Sequence, residues 1–394
     1  MSTANFSSSF DKFLAETSFA EADTESAEFS AGSPDENGTA KASGASALGE
    51  KNVGDVVLCA RLRFARNLDE FPFPNRARAT QRRQIFQKIV EAAATVPALN
   101  GAFVFETEKL SAAQRDFLIE RRFASPDLKG EGSGVIISRS RDIALMLNEE
   151  DHVRIQAFRD YDCGDDDVFD RAREIDRTLG ERLHFAFSER LGFLTSCPTN
   201  TGTGMRFSEM LHLPALVTDT QLESITRAIE AVGLTIRGSF GEGSDTHACV
   251  FQISNDFTLG ISEEDTVALV RRWTAKVCNC ETAARERLLA RDSFGTLDRI
   301  ARAYGMLRYA VTLSAEESAD LLSLLRLGCE LGRFPQTARR RFDELLIETG
   351  RAHIACRAAF RKKSCDKKRE NLLRARLFRE TLSTVRPPEP PEVK

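Results

Sequence analysis

Between Val53 and Ser262, short β-rich apolar runs alternate irregularly with amphipathic helical stretches, and beyond Ser262 almost every window has helical period. This change of period constrains the fold more than any other feature, because strands and helices bury different faces and must pack in layers. Strand character appears at Val56–Leu58, Val135–Ser138, Ile143–Asn148, Leu234–Arg237 and Val250–Ser254. The second and third of these flank the charged Arg139–Asp142 as in a hairpin. Helical period appears at Gln81–Ala94, with Ile85, Ile89 and Val90 on one face, and again at Phe169–Leu183 and Leu222–Val232. The spacing is not that of regular βαβ units. It predicts an α+β fold, an antiparallel sheet flanked by helices, followed by a helical C-terminal region over Glu263–Leu289, Gly295–Arg308, Ala315–Leu331 and much of 338–382.

At 394 residues the chain is long enough for two or three domain-sized units, and 42% hydrophobic residues supply a sizeable core. No apolar run approaches the roughly 18 residues of a membrane span. The acidic N-terminus shows no apolar signal region. Nine scattered cysteines without paired spacing read as reduced, cytosolic thiols, and Cys278 with Cys280 as packing rather than a metal site. Residues 1–50 hold nine acids against two lysines. Phe6, Phe10, Phe13 and Leu14 have helical spacing there, and Glu21–Asn52 reads as a flexible linker. Residues 339–379 hold fourteen Lys/Arg against five acids, which fits a solvated helical surface and a binding surface equally well. No zinc-ligand or aromatic motif of a nucleic-acid reader is present.

Three segments carry chemistry. Asn148–Arg154 reads NEEDHVR and follows an apolar strand, which would place its acids at a sheet edge. His152 has no HExxH or HxH partner and reads as structural. Cys197–Gly204 reads CPTNTGTG and is followed at once by Met205 and Arg206; Arg237–Ser244 reads RGSFGEGS. Glycines so spaced let a backbone approach an anionic group. Arg61 and Arg63 share one face if the first strand continues through them. Arginine- and glycine-bearing segments around apolar strands point to a phosphate cradle, although no GxxxxGK[ST] loop, HRD loop or helix-opening GxGxxG occurs.

The strings NEEDHVRIQ, GFLTSCPTNTGTGMR, HLPALV and GEGSDTHACVFQISN together resemble the phosphagen (guanidino) kinases, and among them the bacterial protein arginine kinases. The resemblance covers about residues 53–290. It implies ATP and Mg²⁺, Glu150 as general base, Glu242 as a second carboxylate and Cys197 beside the guanidinium. It makes Arg61, Arg63, Arg154, Arg206 and Arg237 phosphate-binding arginines. Arg122 stands where a nucleotide-contacting His is usual. Backbone N–H groups at Thr203, Gly204, Gly238 and Gly241 are expected to add fixed dipoles. No protein metal site is expected. Cys59 and Ala60 replace small hydroxyl residues, and Glu370-Asn371-Leu372-Leu373-Arg374-Ala375 departs from the RDxxRA phosphoarginine-binding motif of relatives at its first two residues.

The expected organisation is an acidic, largely disordered segment at 1–52, a catalytic domain at 53–290, a helical and possible dimerisation region at 291–382, and a flexible tail at 383–394. The expected activity is ATP-dependent phosphorylation of protein arginine in the cytoplasm, marking clients for Clp-type proteolysis. The partners implied are protein substrates, a zinc-binding activator, a Clp-type unfoldase and a second copy of the chain, with neither membrane nor nucleic acid. Two alternatives stand: a kinase for free arginine or another small guanidino compound, and an inactive kinase-like adaptor.

Overall fold

The first strand of the central sheet, β1 (Val57–Arg66), runs eight residues beyond the apolar run that announced it. Its even-numbered Ala60, Leu62 and Phe64 are buried in the main core, while Cys59, Arg61 and Arg63 face the other way. The computed structural model describes residues 10–15, 54–160, 167–238, 247–360 and 366–388. Glu242 and Gly241, the 21–52 linker and the end of the tail lie outside these. Residues 10–15 form a helical turn in which the Phe10 and Phe13 rings meet at 5.7 Å.

Residues Asn52–Lys394 form one unit. Along it come α1 (Ala79–Ala93), β2 (Phe103–Glu106), α2 (Ala112–Glu120), β3 (Gly134–Ile137), β4 (Ile143–Leu147), β5 (Val153–Asp160), α3 (Val168–Gly180), the small hairpin β6 (Phe187–Ser188) and β7 (Gly192–Phe193), β8 (Met205–His212), α4 (Pro214–Thr218), α5 (Leu222–Glu230), β9 (Leu234–Gly238) and β10 (Val250–Asn255). Then follow α6 (Glu263–Tyr309), α7 (Ala315–Glu330), α8 (Gln336–Glu348), α9 (Arg351–Phe360) and α10 (Lys367–Leu382). Eight strands form one antiparallel sheet in the order β2-β3-β4-β5-β1-β8-β10-β9. The expected hairpin is the β3–β4 pair.

One face of the sheet is covered by α1, α3, α5 and the first half of α6, whose Ile85, Ile89, Ile175, Ile229 and Val270 interlock with the strand side chains. Burying a side chain of this size stabilises the fold by about 1.5–3 kcal/mol. A second core, built by the end of α6 and by α7, α8 and α10, meets the sheet at Met210 and Val250. The middle of that second face is left to the arginines.

The long helix α6 breaks at Asp292, whose φ of −154° and ψ of 79° are not helical. The Asp292 carboxylate accepts a hydrogen bond from Gly295 N–H at 2.8 Å and so starts a new helix. A Cβ at Gly295 would stand 2.1 Å from that carboxylate. The two halves match the two separate helices that the sequence predicts. Among the described residues, no helix is long and apolar enough to cross a membrane.

Candidate active site

Strand register alone assembles the cationic face. Side chains of directly paired residues lie on the same side of a sheet. Arg63 pairs with Arg206 on β8 and with Gln156 on β5; Arg154 pairs with Ala65 one step along. Arg61 pairs with Ser208, Ser208 with Ser254, and Gln252 on β10 joins Met210 to Arg237 on β9. Five arginines from four strands therefore share one surface. Arg61, Arg63, Arg154 and Arg206 are half-buried, and Arg237 is exposed at the far edge.

Their partners are mostly neutral. Arg61 donates to the Gln252 side-chain carbonyl at 3.3 Å and Arg206 to Ser254 Oγ at 2.9 Å. Among the described residues no carboxylate forms an ion pair with Arg61, Arg63 or Arg206. Burial, then repulsion from Arg122, pushes the Arg61 pKa down to about 10, partly offset by Cys59. Burial, then Arg61, holds Arg63 well below its ordinary value, and burial, then Arg237, lowers Arg206. A guanidinium does not deprotonate in a protein at neutral pH, so these three cations stay charged although partly removed from water and set beside one another, a setting that a bound polyanion would favour.

The acids sit at one end of this face. Arg154 is clamped by both Glu149 and Glu150, each at 2.8 Å. The Glu149 side chain is buried and also accepts from Ser125. The Glu150 side chain keeps 43% of its surface exposed, so one carboxylate fixes Arg154 while the other can meet an incoming group.

Asp151, next in the chain, is buried and accepts from Asn67 Nδ2 at 2.6 Å and from the backbone N–H of Ser196 at 2.7 Å. The acidic loop is thereby laced to the loop of Cys197. The Cys197 thiol lies 2.9 Å from Thr199 Oγ1, and Thr195 Oγ1 donates to the Cys197 carbonyl. His152 is fully buried: its Nδ1 accepts from Leu68 N–H and its Nε2 donates to the Pro72 carbonyl, both at 2.9 Å, between the rings of Phe71 and Phe73. Burial lowers its pKa. It anchors the chain after β1, in keeping with the structural role read from the sequence.

The description "ATP:guanido phosphotransferase, C-terminal catalytic domain" matches residues 84–284, just over half the chain, and "Protein-arginine kinase McsB C-terminal domain" matches residues 295–392. A protein-arginine kinase of Brevibacillus brevis is 37% identical over 345 residues, spanning 86% of this chain and 94% of that protein. One of Geobacillus stearothermophilus is 38% identical over 335 residues, spanning 83% and 92%. The chain belongs to the protein-arginine kinase family. Its fold is shared with the duplicated taurocyamine kinase of Schistosoma mansoni bound to transition-state-analogue components (TM-score 0.53, 24% identity, 59% of this chain and 34% of that one) and with a lombricine kinase (TM-score 0.50, 24% identity, 58% and 67%). The chain is thus a guanidino phosphotransferase.

Within this kinase, Arg122 is at the end of the arginine face rather than in the sheet. It follows α2 in a Schellman turn: Arg122 N–H donates to the Ile119 carbonyl and Phe123 N–H to that of Leu118. The turn needs a left-handed residue, and Arg122 has φ of 62°. A residue other than glycine there costs about 1–2 kcal/mol. The side chain explains the choice: its Nη1 contacts Cys59 Sγ at 3.0 Å and stands close enough to Arg61 to depress it.

The structure engages one of the backbone donors expected of this loop, that of Thr203. Thr203 N–H is taken by the Thr258 carbonyl at 2.9 Å, and the Gly204 carbonyl accepts from Ala65 N–H. A Cβ at Gly204 would stand 2.6 Å from the buried Arg66 guanidinium. These contacts close the loop onto β1 and Thr258, and the Thr203 N–H is not a free dipole. Gly238 ends β9 opposite Phe251. Arg374 is also spoken for: it donates to the carbonyls of Thr349 and Leu313 and to Asn371. Sequence reasoning flagged the acids of 148–154 together but gave a role only to Glu150, and it missed Asn67, Gln252 and Ser254. Gln252 and Ser254 were legible as alternate positions of one strand, and Glu149 as the neighbour of Glu150.

Proposed function

We propose that this kinase transfers the γ-phosphoryl group of MgATP to arginine side chains of proteins. One observation supports this most: half-buried guanidiniums on the sheet without carboxylate partners, beside a loop that presents Glu150 and is tied to Cys197. The triphosphate is the polyanion that Arg61, Arg63, Arg206 and Arg237 lack, with Arg154 at the acidic end and Arg122 on the nucleotide side. Charge complementarity of this kind carries most of the catalysis of phosphoryl transfer. Magnesium is read as part of the MgATP substrate.

Glu150 holds the acceptor guanidinium and takes its proton as the nitrogen attacks phosphorus. The N–P bond forms, the bond from the γ-phosphorus to the bridging oxygen breaks, and ADP leaves with that electron pair. Glu242 would supply the second carboxylate, and Cys197 would lie beside the guanidinium in a positioning and electrostatic role. Transfer is direct, with no phosphocysteine. The family's protein-arginine kinases support a polypeptide acceptor over a free amino acid. The resemblance also supports a zinc-binding activator, a Clp-type unfoldase receiving marked clients, a homodimer through the C-terminal helices, and a cytoplasmic setting.

The test compares kcat/KM for free arginine with that for an unfolded arginine-containing protein, with phosphoarginine read by acid-aware mass spectrometry. The protein should be preferred by at least tenfold, about 1.4 kcal/mol. Equal or better efficiency with free arginine would move the chain to the small-guanidino kinases. No product from either, with an activator present, would favour the adaptor reading.

A further inference from the structure

The end of α2 that carries Arg122 is held from behind by the C-terminal region. Glu120, the last residue of α2, points its carboxylate at the start of α9. It accepts from Ala352 N–H at 2.7 Å, from His353 N–H at 3.0 Å and from His353 Nδ1 at 2.6 Å. Arg121, the next residue, donates its Nε–H to His353 Nε2 at 3.0 Å. His353 is fully buried and packs on the Phe117 ring of α2 at 4.3 Å. Its two ring nitrogens therefore differ in role: Nδ1 donates to Glu120 and Nε2 accepts from Arg121. A proton on both would set two N–H groups against each other, and burial lowers the His353 pKa accordingly.

Three consecutive residues thus have three fixed contacts. Glu120 and Arg121 are pinned to α9, and Arg122 turns through a left-handed conformation to reach Cys59 on the arginine face. The left-handed residue is bracketed by pinned neighbours on one side and by the Phe123 N–H to Leu118 bond on the other. A displacement of α9 relative to α2 would have to move the turn that aims Arg122.

We propose that Glu120 and His353 are positioning residues for Arg122, so that the docking of α9 onto α2 sets the nucleotide side of the cleft. The proposal rests on the reading of Arg122 as a nucleotide-side residue. It gives the C-terminal helices a part in ATP binding without any contact between them and the nucleotide. His353 acts through hydrogen bonds and not through charge, so His353→Asn, whose amide N–H can replace Nδ1–H towards Glu120, should restore part of what His353→Ala removes.

The experiment is a double-mutant cycle in the full chain, with KM for MgATP and kcat measured on a protein substrate and binding of a fluorescent ATP analogue measured directly. Arg122→Ala should raise KM for MgATP about tenfold. His353→Ala should raise it about five- to tenfold with kcat changed less than twofold, and His353→Asn should fall between it and the wild type. The double variant Arg122→Ala/His353→Ala should be no worse than Arg122→Ala alone, because a residue that acts only through Arg122 has nothing left to act on. Multiplying effects in the double variant, or a wild-type KM in His353→Ala, would overturn the proposal. A wild-type KM in Arg122→Ala would instead overturn the nucleotide-side reading of Arg122 itself. Thermal unfolding of each variant identifies any that lose the fold. Should His353→Ala be one, Glu120→Gln, which keeps shape and one acceptor, takes its place in the cycle with the same outcomes.

Discussion

Arg61, Arg63 and Arg206 on the open face and Arg66, Arg326 and Arg374 in the interior are the same residue type removed from water to different ends. Arg66 meets Asp176 at 2.8 Å, the Thr203 carbonyl and the face of Phe193. Arg326 meets Asp343 at 2.7 Å, the Asp55 carbonyl and His212 Nδ1. Arg374 caps backbone carbonyls. Each interior guanidinium has partners that fix it in one place, and each ties two elements together. The guanidiniums of the open face have neutral partners or one another, and burial first, then mutual repulsion, lowers the pKa of Arg61, Arg63 and Arg206. Burial alone does not distinguish a structural arginine from a functional one; what stands opposite the charge does.

That distinction predicts opposite phenotypes. Glu150→Gln should lower phosphoryl transfer by about 10²–10⁴-fold, as expected when a general base is removed, and should leave MgATP binding near normal. Its exposed side chain makes the folding effect small, within about 0.5 kcal/mol. Single-turnover rates set beside nucleotide titration check both halves, and near-wild-type turnover would remove Glu150 from the base role.

Arg326→Ala should do the reverse. It removes Arg326 from Asp343 and from buried Glu330, which still has Arg285 at 4.0 Å and Arg339 at 3.9 Å, and breaking a buried pair from one side costs up to about 3–5 kcal/mol. Denaturant unfolding should show the loss, while the fraction that remains folded should keep its affinity for MgATP. A stable variant that cannot bind nucleotide would erase the boundary between the two sets of arginines.

The interior network also predicts a pH dependence. His212 is fully buried, accepts from Arg326 at Nδ1 and faces Ser323 at Nε2. Burial, with Arg326 and Arg285, holds its pKa well below the ordinary value. The unfolded chain takes up this proton near pH 6.5 and the folded chain only far lower. Stability from this group is therefore complete above about pH 6.5 and falls below it by up to about 1.4 kcal/mol per pH unit. His152 and His353, also lowered, act in the same direction. Urea midpoints at pH 7.5, 6.5 and 5.5 measure the slope, which should be shallower in His212→Gln; an unchanged slope would exclude His212 as a source.

Helices with a clean apolar stripe, such as α1 and α3, were legible to within a few residues. The strands that build the site were not. Only the first residues of β1 and none of β5 or β8 stood out, because their open face carries Arg61, Arg63, Arg154, Gln156, Arg206 and Ser208 in place of the usual mixed polar side chains. On β8 the alternation is broken further by Glu209, a carboxylate buried on the helix-covered face. The motifs pointed to the arginines that the sheet gathers on one face and to the acidic loop beside them; the lacing through Asn67 and Asp151 was not legible, because it joins residues 84 and 45 positions apart. The pinning of Arg121 by His353, 232 positions away, has no local signal at all.

If the arginine face is built for a polyanion at the expense of the free protein's stability, removing one of its charges should separate the two effects, and Arg63→Met does so. This variant keeps the side chain's length and packing while removing one charge from the cluster. Thermal unfolding would be followed with and without MgATP at a concentration about a hundred times the wild-type Kd, where binding stabilises the wild type by about 2.7 kcal/mol. Arg63→Met alone should melt at or above the wild-type temperature, and MgATP should no longer protect it. A variant that melts well below the wild type and is still protected by MgATP would contradict it.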